Sequence, residues 1–423
     1  MVEMETTDAR AFEPNAEEMA VDTNTTDVQS GAMEDGELPS AETPSFFEYD
    51  ARTPVKSLLT ASHEFNGMNH AVSGHNNFTK GVKVSPDGLC MLTSSEDHIL
   101  RIFELPSEEN ADVEQLSILQ AKEGGAVYDY AWYPYMTSQD PATCIFISTS
   151  RDHPIHMWDA YTGQLRATYR AFDHLDEITA AFSVAFNATG DKIFAGYDRM
   201  IRFFDITQPS RDFVSRPLCK TRKSRDGQRG IISTLHFNPD HSKIYAAGSY
   251  NGTTCIYTED TGEELLCLRD HDGHGITQVQ FSPDGRYLFT GARRDGSIHC
   301  WDIRQSVQVV QSFTRQAETN QRVEFDLHCT GRYLATGSRD GRALLYDVST
   351  GELVDENIRM PDAVNGVSFF PDATRGRVAV TTGQRHYDLP DDSDSDDDED
   401  DNAKKKQEQS QRNALRVFEF GCK

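Results

Sequence analysis

Residues 151–181, RDHPIHMWDAYTGQLRATYRAFDHLDEITAA, decide the fold class of this chain. A short run of alternating apolar residues ends there in the pair Trp158-Asp159, a turn follows at 161–163, and the alternation resumes over 165–172. Aromatic and β-branched residues in short runs between Asp, Gly and Pro are typical of strands joined by tight turns. The stretch therefore predicts two antiparallel strands of an all-β protein.

The same pattern recurs along the chain. Six strand-like runs end in an aromatic residue, which an acidic residue follows in five of them: Phe103, Trp158, Phe204, Tyr257, Trp301 and Tyr346. Successive anchors are 44 to 55 residues apart, which is the period of propeller repeats with some loop insertions. Turns with the pattern Ser/Asn-Pro-Asp precede three of the anchors, at 85–88, 238–241 and 282–285. Six copies in phase predict a WD-repeat β-propeller, whereas a single Trp-Asp pair is a weak signal.

A seventh unit is split and incomplete. Its strands are predicted over 364–370, 377–382 and 414–420, and the chain ends before a fourth strand. The run 55–65 has no strand partner next to it in sequence and can fill the gap, which would remove an open sheet edge. We therefore predict a seven-bladed propeller closed by an N-terminal strand.

The acidic residues are concentrated in two segments. The chain has a formal net charge of -27, of which residues 1–54 and 388–412 together contribute -19. Both segments have too few apolar residues to offset the entropy cost of folding. We predict a disordered acidic tail over 1–54 and a propeller over 55–423, interrupted by a disordered acidic insertion over 388–412. The motif 46–49, FFEY, is either a docking motif or the first contact with the folded body.

Several classes of function are disfavoured. The eight cysteines form no Cys-x-x-Cys pair and no His/Cys metal spacing, so we predict buried free thiols in a reducing compartment, no metal and no cofactor. No apolar run approaches the roughly 18 residues of a membrane span, and the N-terminus is acidic rather than a secretory signal. Motifs for a nucleophile elbow or a phosphate-binding loop are missing from the sequence. We predict a soluble, intracellular, monomeric protein that is not an enzyme.

Conspicuous residues of the repeats have a structural interpretation. Equivalent acids and anchor tryptophans around one ring are expected to hydrogen-bond within or between blades. These structural positions are Asp97, Asp152, Trp158, Asp198, Asp295, Trp301 and Asp340. Histidines near the start of two repeats are expected to be buried and hydrogen-bonded: His75, His271 and His274.

Basic residues gather on one predicted rim. In a propeller, the loops after fourth strands and the turns between second and third strands share one face. The candidate RNA-binding residues placed there are Arg151, Arg166, Arg170, His174, Arg199, Lys220, Arg222, Lys223, Arg225, Arg229, Arg293, Arg294, Arg315 and Arg339. Arg and Lys contact phosphates, and the neighbouring Tyr197 and Tyr250 are candidates for stacking on bases. Charge alone is equally compatible with a solvated surface or with binding of an acidic protein tail.

Several strings go beyond generic repeat sequence. They include RATYRAFDHLDE at 166–177, SSEDHILRI at 94–102, VYDYAWY at 127–133 and TNQRVEFDL at 319–327. With these strings the chain resembles the telomerase Cajal body protein family over about residues 78–384. The acidic segments lie outside the resemblance.

The resemblance implies a propeller that binds a short box in the loop of small Cajal body RNAs. It further implies that the protein retains their ribonucleoproteins in Cajal bodies of the nucleus and, in many animals, does so for telomerase RNA in telomere maintenance. The alternative is a scaffold that binds protein partners through the propeller without binding RNA. The run 391–401 adds the hypothesis that this acidic loop competes with RNA for the rim, or only keeps the protein soluble.

Overall fold

Seven sheets arranged as blades form the folded body of the protein. The computed structural model describes residues 46–66, 76–105, 114–221, 226–269, 271–304, 308–386 and 412–423. The strands of these described residues form seven antiparallel sheets of four strands each. The prediction of a seven-bladed β-propeller is confirmed.

Six blades consist of strands that are consecutive in the chain. They are preceded by strand β1 (Lys56–Ala61) and the one-turn helix α1 (His63–Asn66). Blades 1 to 3 contain β2 (Thr79–Val84), β3 (Cys90–Ser95), β4 (Ile99–Glu104), β5 (Leu119–Lys122), β6 (Val127–Trp132), β7 (Ile145–Ser150), β8 (Ile155–Asp159), β9 (Leu165–Tyr169), β10 (Ser183–Phe186), β11 (Lys192–Tyr197), β12 (Met200–Asp205) and β13 (Val214–Pro217). Blades 4 to 6 contain β14 (Ile232–Phe237), β15 (Ile244–Ser249), β16 (Thr253–Thr258), β17 (Glu264–Arg269), β18 (Ile276–Phe281), β19 (Tyr287–Ala292), β20 (Ser297–Asp302), β21 (Val309–Thr314), β22 (Phe325–Leu327), β23 (Tyr333–Gly337), β24 (Arg342–Asp347) and β25 (Leu353–Arg359).

The seventh blade joins the two ends of the folded chain. Its strands are β26 (Val364–Phe369), β27 (Arg377–Thr382) and β28 (Ala414–Glu419), and β1 is the fourth. Strand β1 runs antiparallel to β28, with Ala61 opposite Leu415. The predicted closure is confirmed, although the predicted strand 55–65 was too long. After Ala61 the chain turns into α1, which buries Phe65 in the apolar core.

A central cavity of about 500 Å³ runs between the blades. The first strand of every blade contributes to its wall, so these strands are the innermost ones. Representative lining residues from blades 1 to 7 are Lys83, Asp129, Val184, His236, Gln280, Asp326 and Ser368.

The two faces of the ring are built from different connections. One face is formed by the turns between the second and third strands of each blade, together with the loops that lead into the first strands. We call this the upper face. Backbone hydrogen bonds join these connections, such as Arg151 N to Ala126 O at 2.9 Å and Arg339 N to Gln316 O at 2.8 Å. The lower face carries the other two sets of turns, which are joined in the same way by Ala160 N to Cys144 O at 2.9 Å.

Apolar side chains pack between neighbouring blades. One buried cluster combines Ile147 and Tyr169 of blade 2 with Val184 and Ala195 of blade 3. The Tyr169 hydroxyl crosses the same boundary and donates to the carbonyl of Ile206 at 2.7 Å. Because burying a large apolar side chain contributes about 1.5–3 kcal/mol, these contacts hold each blade against the next.

The folded body begins earlier than the sequence predicted. Phe47 is 2% exposed and packs with Tyr333, and its backbone N–H donates to Ala373 O at 2.8 Å. The Tyr49 hydroxyl donates to the Asp355 carboxylate. Phe47 and Tyr49 of the FFEY motif therefore contact the propeller, so the folded body begins before the boundary predicted at residue 54. Residues 1–45 of the predicted tail and residues 388–411 of the insertion lie outside the described residues.

The cysteines differ from the prediction in one disulfide-bonded pair and in three free cysteines that are not buried: Cys219 is half-buried, and Cys329 and Cys422 are exposed. Cys255 in β16 and Cys267 in β17 lie opposite each other and are joined by a disulfide. Their adjacency across two strands is not visible in the sequence, so the expectation of free thiols is wrong for this pair. Cys90, Cys144 and Cys300 are free and buried, as predicted. Within the described ranges, no helix has the length and apolar character needed to cross a membrane.

Candidate nucleic-acid interface

Three arginines of the upper face extend into solvent. Arg151, Arg294 and Arg339 occupy turns between second and third strands in blades 2, 5 and 6, and all three are exposed. The Arg151 side chain is 68% exposed, and its Nε lies 3.4 Å from the Asp152 carboxylate. Arg339 donates to the backbone carbonyl of Glu318 at 3.4 Å. Such long contacts at an exposed surface leave these cations accessible to an anionic ligand.

Two further arginines of these turns are already engaged within the protein. Arg199 donates from Nε to both carboxylate oxygens of Asp198 at 3.2 Å, and this hydrogen-bonded pair raises the pKa of Arg199. The Arg293 guanidinium lies 4.1 Å from the centroid of the Tyr250 ring. At this distance the arginine covers part of the Tyr250 ring, and Tyr250 is half-buried.

The remaining candidates on loops have varied surroundings. Lys220 and Arg170 are exposed, Arg229 is half-buried, and the His174 side chain is 86% exposed with Nδ1 3.9 Å from Asp173. The candidates Arg222, Lys223 and Arg225 lie outside the described residues.

Two predicted rim residues are located elsewhere. Arg166 lies at the start of β9, where it donates to Asp159 at 2.9 Å and to the carbonyl of Ala142 at 2.9 Å. These partners belong to lower-face connections, so the prediction for Arg166 is corrected. Arg315 is 6% exposed and donates to Thr336 Oγ1 at 2.8 Å, and burial lowers its pKa to about 10. It belongs to the interior of the blade rather than to the rim.

The aromatic candidates also change. Tyr197 is 4% exposed, and the Arg202 guanidinium lies 4.7 Å from its ring centroid, so it cannot stack on a base. Tyr128, which the sequence prediction missed, is 36% exposed near the upper end of β6. Its ring centroid lies 5.3 Å from that of Phe182 in the next blade. The available signal was an aromatic residue at the start of the strand sequence VYDYAW, which also contains Tyr130 and Trp132, so the signal is too weak to use alone.

A hydrogen-bonded chain of four side chains stabilises blade 5. Trp301 Nε1 donates to Thr290 Oγ1 at 2.9 Å, and that hydroxyl lies 2.9 Å from His271 Nε2. His271 Nδ1 lies 2.6 Å from Asp295. Although burial opposes ionisation, the hydrogen bond with His271 and others lower the Asp295 pKa to about 2. His271 is buried, whereas His274 is exposed, and His75 is outside the described residues.

Blade 2 contains an equivalent hydrogen-bonded chain of side chains, in which a different acidic residue takes part. Trp158 Nε1 donates to Ser148 Oγ at 2.8 Å, and Ser148 in turn donates to Glu123, which also contacts His156 at 3.0 Å. Asp152, predicted for this structural role, has a side chain that is 85% exposed. The prediction for Asp152 is corrected because Glu123, in the loop before β6, occupies the buried position.

The other repeated aspartates pair with arginine. Asp97 accepts hydrogen bonds from Arg101 at 2.6 Å and Ser95 at 2.6 Å inside blade 1. Asp340 contacts Arg342 in the same way. Asp198 pairs with Arg199 as described above, so these three acids act within their own blades.

Ionisable side chains also line the central cavity. Lys83 Nζ lies 3.3 Å from the Asp129 carboxylate, and Arg322 lies 3.8 Å from it. Burial raises the pKa of Glu324 to about 7, against the effect of nearby Arg322 and Lys83. These groups come from blades 1, 2 and 6 and mainly neutralise one another.

Two groups of side chains have metal-ligand chemistry. Within the described residues they are Cys255, Glu264 and Cys267, and His271, Asp295 and His299. The two cysteines are disulfide-bonded, and both ring nitrogens of His271 already have hydrogen-bond partners. Neither group offers a set of available ligands.

The comparisons with known proteins agree with this architecture. The family described as WD domain, G-beta repeat matches residues 68–104, 219–258, 262–302 and 311–347. Telomerase Cajal body protein 1 of Rattus norvegicus is 39% identical over 396 residues, which cover 90% of this chain and 72% of the relative. The chain belongs to the telomerase Cajal body protein 1 family.

The family extends beyond mammals. The Homo sapiens telomerase Cajal body protein 1 is 42% identical over 329 residues, covering 75% of this chain and 59% of the relative. The telomerase Cajal body protein 1 homolog of Drosophila melanogaster is 31% identical over 417 residues, covering 91% of this chain and 72% of the relative. The family resemblance found in the sequence is thereby confirmed.

Proposed function

We propose that this protein is a non-catalytic RNA-binding adaptor of the nucleus. It binds the box in the hairpin loop of small Cajal body RNAs, retains their ribonucleoproteins in Cajal bodies, and does the same for telomerase RNA in telomere maintenance. The names of the family members support the cellular setting, and the arrangement of charge supports the mode of binding.

The observation that supports this proposal most directly is the exposed positive charge of the upper face. Arg151, Lys220, Arg294 and Arg339 come from four different parts of the ring and are all exposed. They share one face of a chain whose formal net charge is -27. Concentrating cations against that overall charge favours a polyanion held at this face.

Binding requires no bond to be made or broken. The arginine and lysine side chains contact phosphates and orient the hairpin, while unpaired bases of its loop approach the centre of the face. Ionic contacts of this kind release counterions, so the affinity falls as salt increases.

The experiment measures the affinity of the purified protein for a small Cajal body RNA hairpin at several salt concentrations. The variant Arg151→Glu/Arg294→Glu/Arg339→Glu should bind more weakly, and its plot of log affinity against log salt should be flatter by about 2, at about 0.7 per lost phosphate contact. The matched control, Lys243→Glu/Arg286→Glu/Arg304→Glu, makes the same charge change on lower-face turns and should bind like the wild type. Equal losses in both variants would overturn the proposal.

Treatment of the isolated cellular complexes with RNase separates the adaptor from a protein scaffold. Partners of an RNA adaptor should be released. Partners that remain bound, together with no binding of the hairpin at low salt, would support the scaffold and contradict the proposed function.

A further inference from the structure

The upper end of β6 has an extra residue that the sheet does not pair. The register between β6 and β7 shifts between Val127 and Asp129, which leaves Tyr128 as a bulge. Val127 and Asp129 are both buried, whereas Tyr128 is 36% exposed. A bulge redirects one side chain without breaking the strand, and here it brings an aromatic ring to the surface.

Blade 3 supplies a second ring beside it. Phe182 precedes β10, and its backbone N–H donates to Gly196 O at 2.8 Å, which fixes it at the upper end of the inner strands. The ring centroids of Tyr128 and Phe182 are 5.3 Å apart and the ring planes are inclined by 31°. Two neighbouring blades thus combine to form one partly exposed aromatic surface at the inner edge of the upper face.

The pair lies next to the exposed arginine of blade 2. Arg151 donates its backbone N–H to Ala126 O at 2.9 Å, two residues before Tyr128. The corresponding bulge of blade 1, between Thr79 and Gly81, carries Lys80 instead of an aromatic residue. Lys80 is paired with Glu96 at 2.8 Å, so Arg151 supplies the exposed positive charge next to the rings, where it can contact a phosphate beside a stacked base.

The location is specific to this face. Among the described residues, the other exposed Phe and Tyr side chains are Phe46, Tyr135 and Tyr161. Tyr135 and Tyr161 lie in lower-face turns, and Phe46 precedes a residue bonded to the lower-face loop at Ala373. Of these four rings, only Tyr128 accompanies the basic residues of the upper face.

We propose that Tyr128 and Phe182 form a stacking platform for an unpaired base of the bound RNA loop. The inference rests on the proposed function and adds to it the position at which the loop is held. The face of a base is apolar and polarisable in every nucleotide, so the platform recognises single-stranded RNA in an open loop. The neighbouring Arg151 holds a phosphate next to that base.

The test uses the full chain and a small Cajal body RNA hairpin with 2-aminopurine at one loop position at a time. Tyr128→Leu should weaken binding by about 5- to 140-fold, the range that loss of one base stack produces. It should also relieve quenching of 2-aminopurine at one position and leave the salt slope unchanged, because no charge is lost. Tyr128→Phe should retain wild-type behaviour.

Tyr161→Leu removes an exposed tyrosine from the lower face and serves as the matched control. If Tyr128→Leu is unstable, photo-crosslinking of the wild-type protein to 4-thiouridine in the loop tests the same contact, with crosslinks expected at Tyr128 or Phe182. Wild-type affinity and quenching in Tyr128→Leu, or crosslinks that avoid both rings, would overturn the platform while leaving RNA binding intact. Failure of the wild-type protein to bind the hairpin would instead overturn the proposed function and the platform with it.

Discussion

Trp301 donates its indole N–H to the hydroxyl of Thr290 at 2.9 Å, between neighbouring strands of blade 5. The same hydroxyl lies 2.9 Å from His271 Nε2. The hydroxyl accepts from the indole, and it donates to Nε2 in the tautomer of neutral His271 that carries its proton on Nδ1. That tautomer donates to Asp295, 2.6 Å away. One threonine therefore joins the tryptophan to the histidine–aspartate pair.

Replacing Thr290 with valine should destabilise the protein. Valine keeps the shape but leaves the Trp301 N–H and a His271 nitrogen buried without a partner. The free energy of unfolding should fall by about 1–3 kcal/mol, the cost of unsatisfied buried polar groups. Urea denaturation of the wild type, Thr290→Val and Thr290→Ser measures it, and serine should retain most of the stability. A valine variant as stable as the wild type would show that the hydrogen-bond chain contributes nothing.

Asp295 should contribute a defined acid sensitivity. Its pKa falls from an ordinary 3.8 to about 2 in the folded protein. Because the folded pKa is below the unfolded one, the contribution is complete above about pH 4 and is lost as the pH falls towards 2. Asp295→Asn should be less stable than the wild type at pH 7, and the gap should narrow over that acidic window. We would measure urea midpoints from pH 7 to pH 2, and a gap independent of pH would refute the assignment.

Glu324 should have the opposite effect on stability. Burial raises its pKa from 4.5 to about 7. Between these values the unfolded chain has released the proton and the folded one retains it, so stability decreases as the pH rises. Glu324→Gln, which cannot ionise, should gain roughly 3–4 kcal/mol relative to the wild type between pH 4.5 and pH 8, at about 1.4 kcal/mol per pKa unit. Chemical denaturation at pH 4.5 and at pH 8 measures the difference in the free energy of unfolding between the variant and the wild type. The same difference at both pH values would contradict the prediction.

Closure of the ring by β1 predicts a sharp difference between two truncations. Removing residues 1–40 spares Phe47 and β1, so soluble yield and Tm should remain near those of the full chain. Removing residues 1–61 exposes the edge of β28 and its backbone groups, and we expect aggregation. Soluble expression and size-exclusion chromatography compare them. Soluble, monomeric protein from both truncations would show that the closing strand is dispensable.

Much of the fold could be predicted from local sequence. The alternation around Trp158 and Trp301 depends on neighbouring residues that lie on alternate sides of one strand, and its period repeats along the chain. The split seventh blade was also predictable, because three strands without a fourth demand a partner. Strand ends were less certain: β9 ends at Tyr169, although apolar residues continue beyond it.

The site was less predictable, since it depends on which end of a strand a residue occupies. Arg166 and Arg151 are close in sequence, yet strand β8 runs between them from the upper to the lower face, so Arg151 lies in an upper-face turn and Arg166 lies near the lower face. Arg315 has the composition of a surface residue but is buried against Thr336. Glu123 replaces Asp152 because a loop, rather than a turn, delivers the acid to Ser148.

The sequence by itself determined the repeat, the family and the need for a closing strand, because these depend on spacing and alternation along the chain. Only the tertiary structure decided which cations remain exposed, which acid completes a hydrogen-bond chain, and that Tyr128 and Phe182 meet. Those outcomes depend on burial and on contacts between blades, and a contact between residues in different blades leaves no periodic trace in the chain.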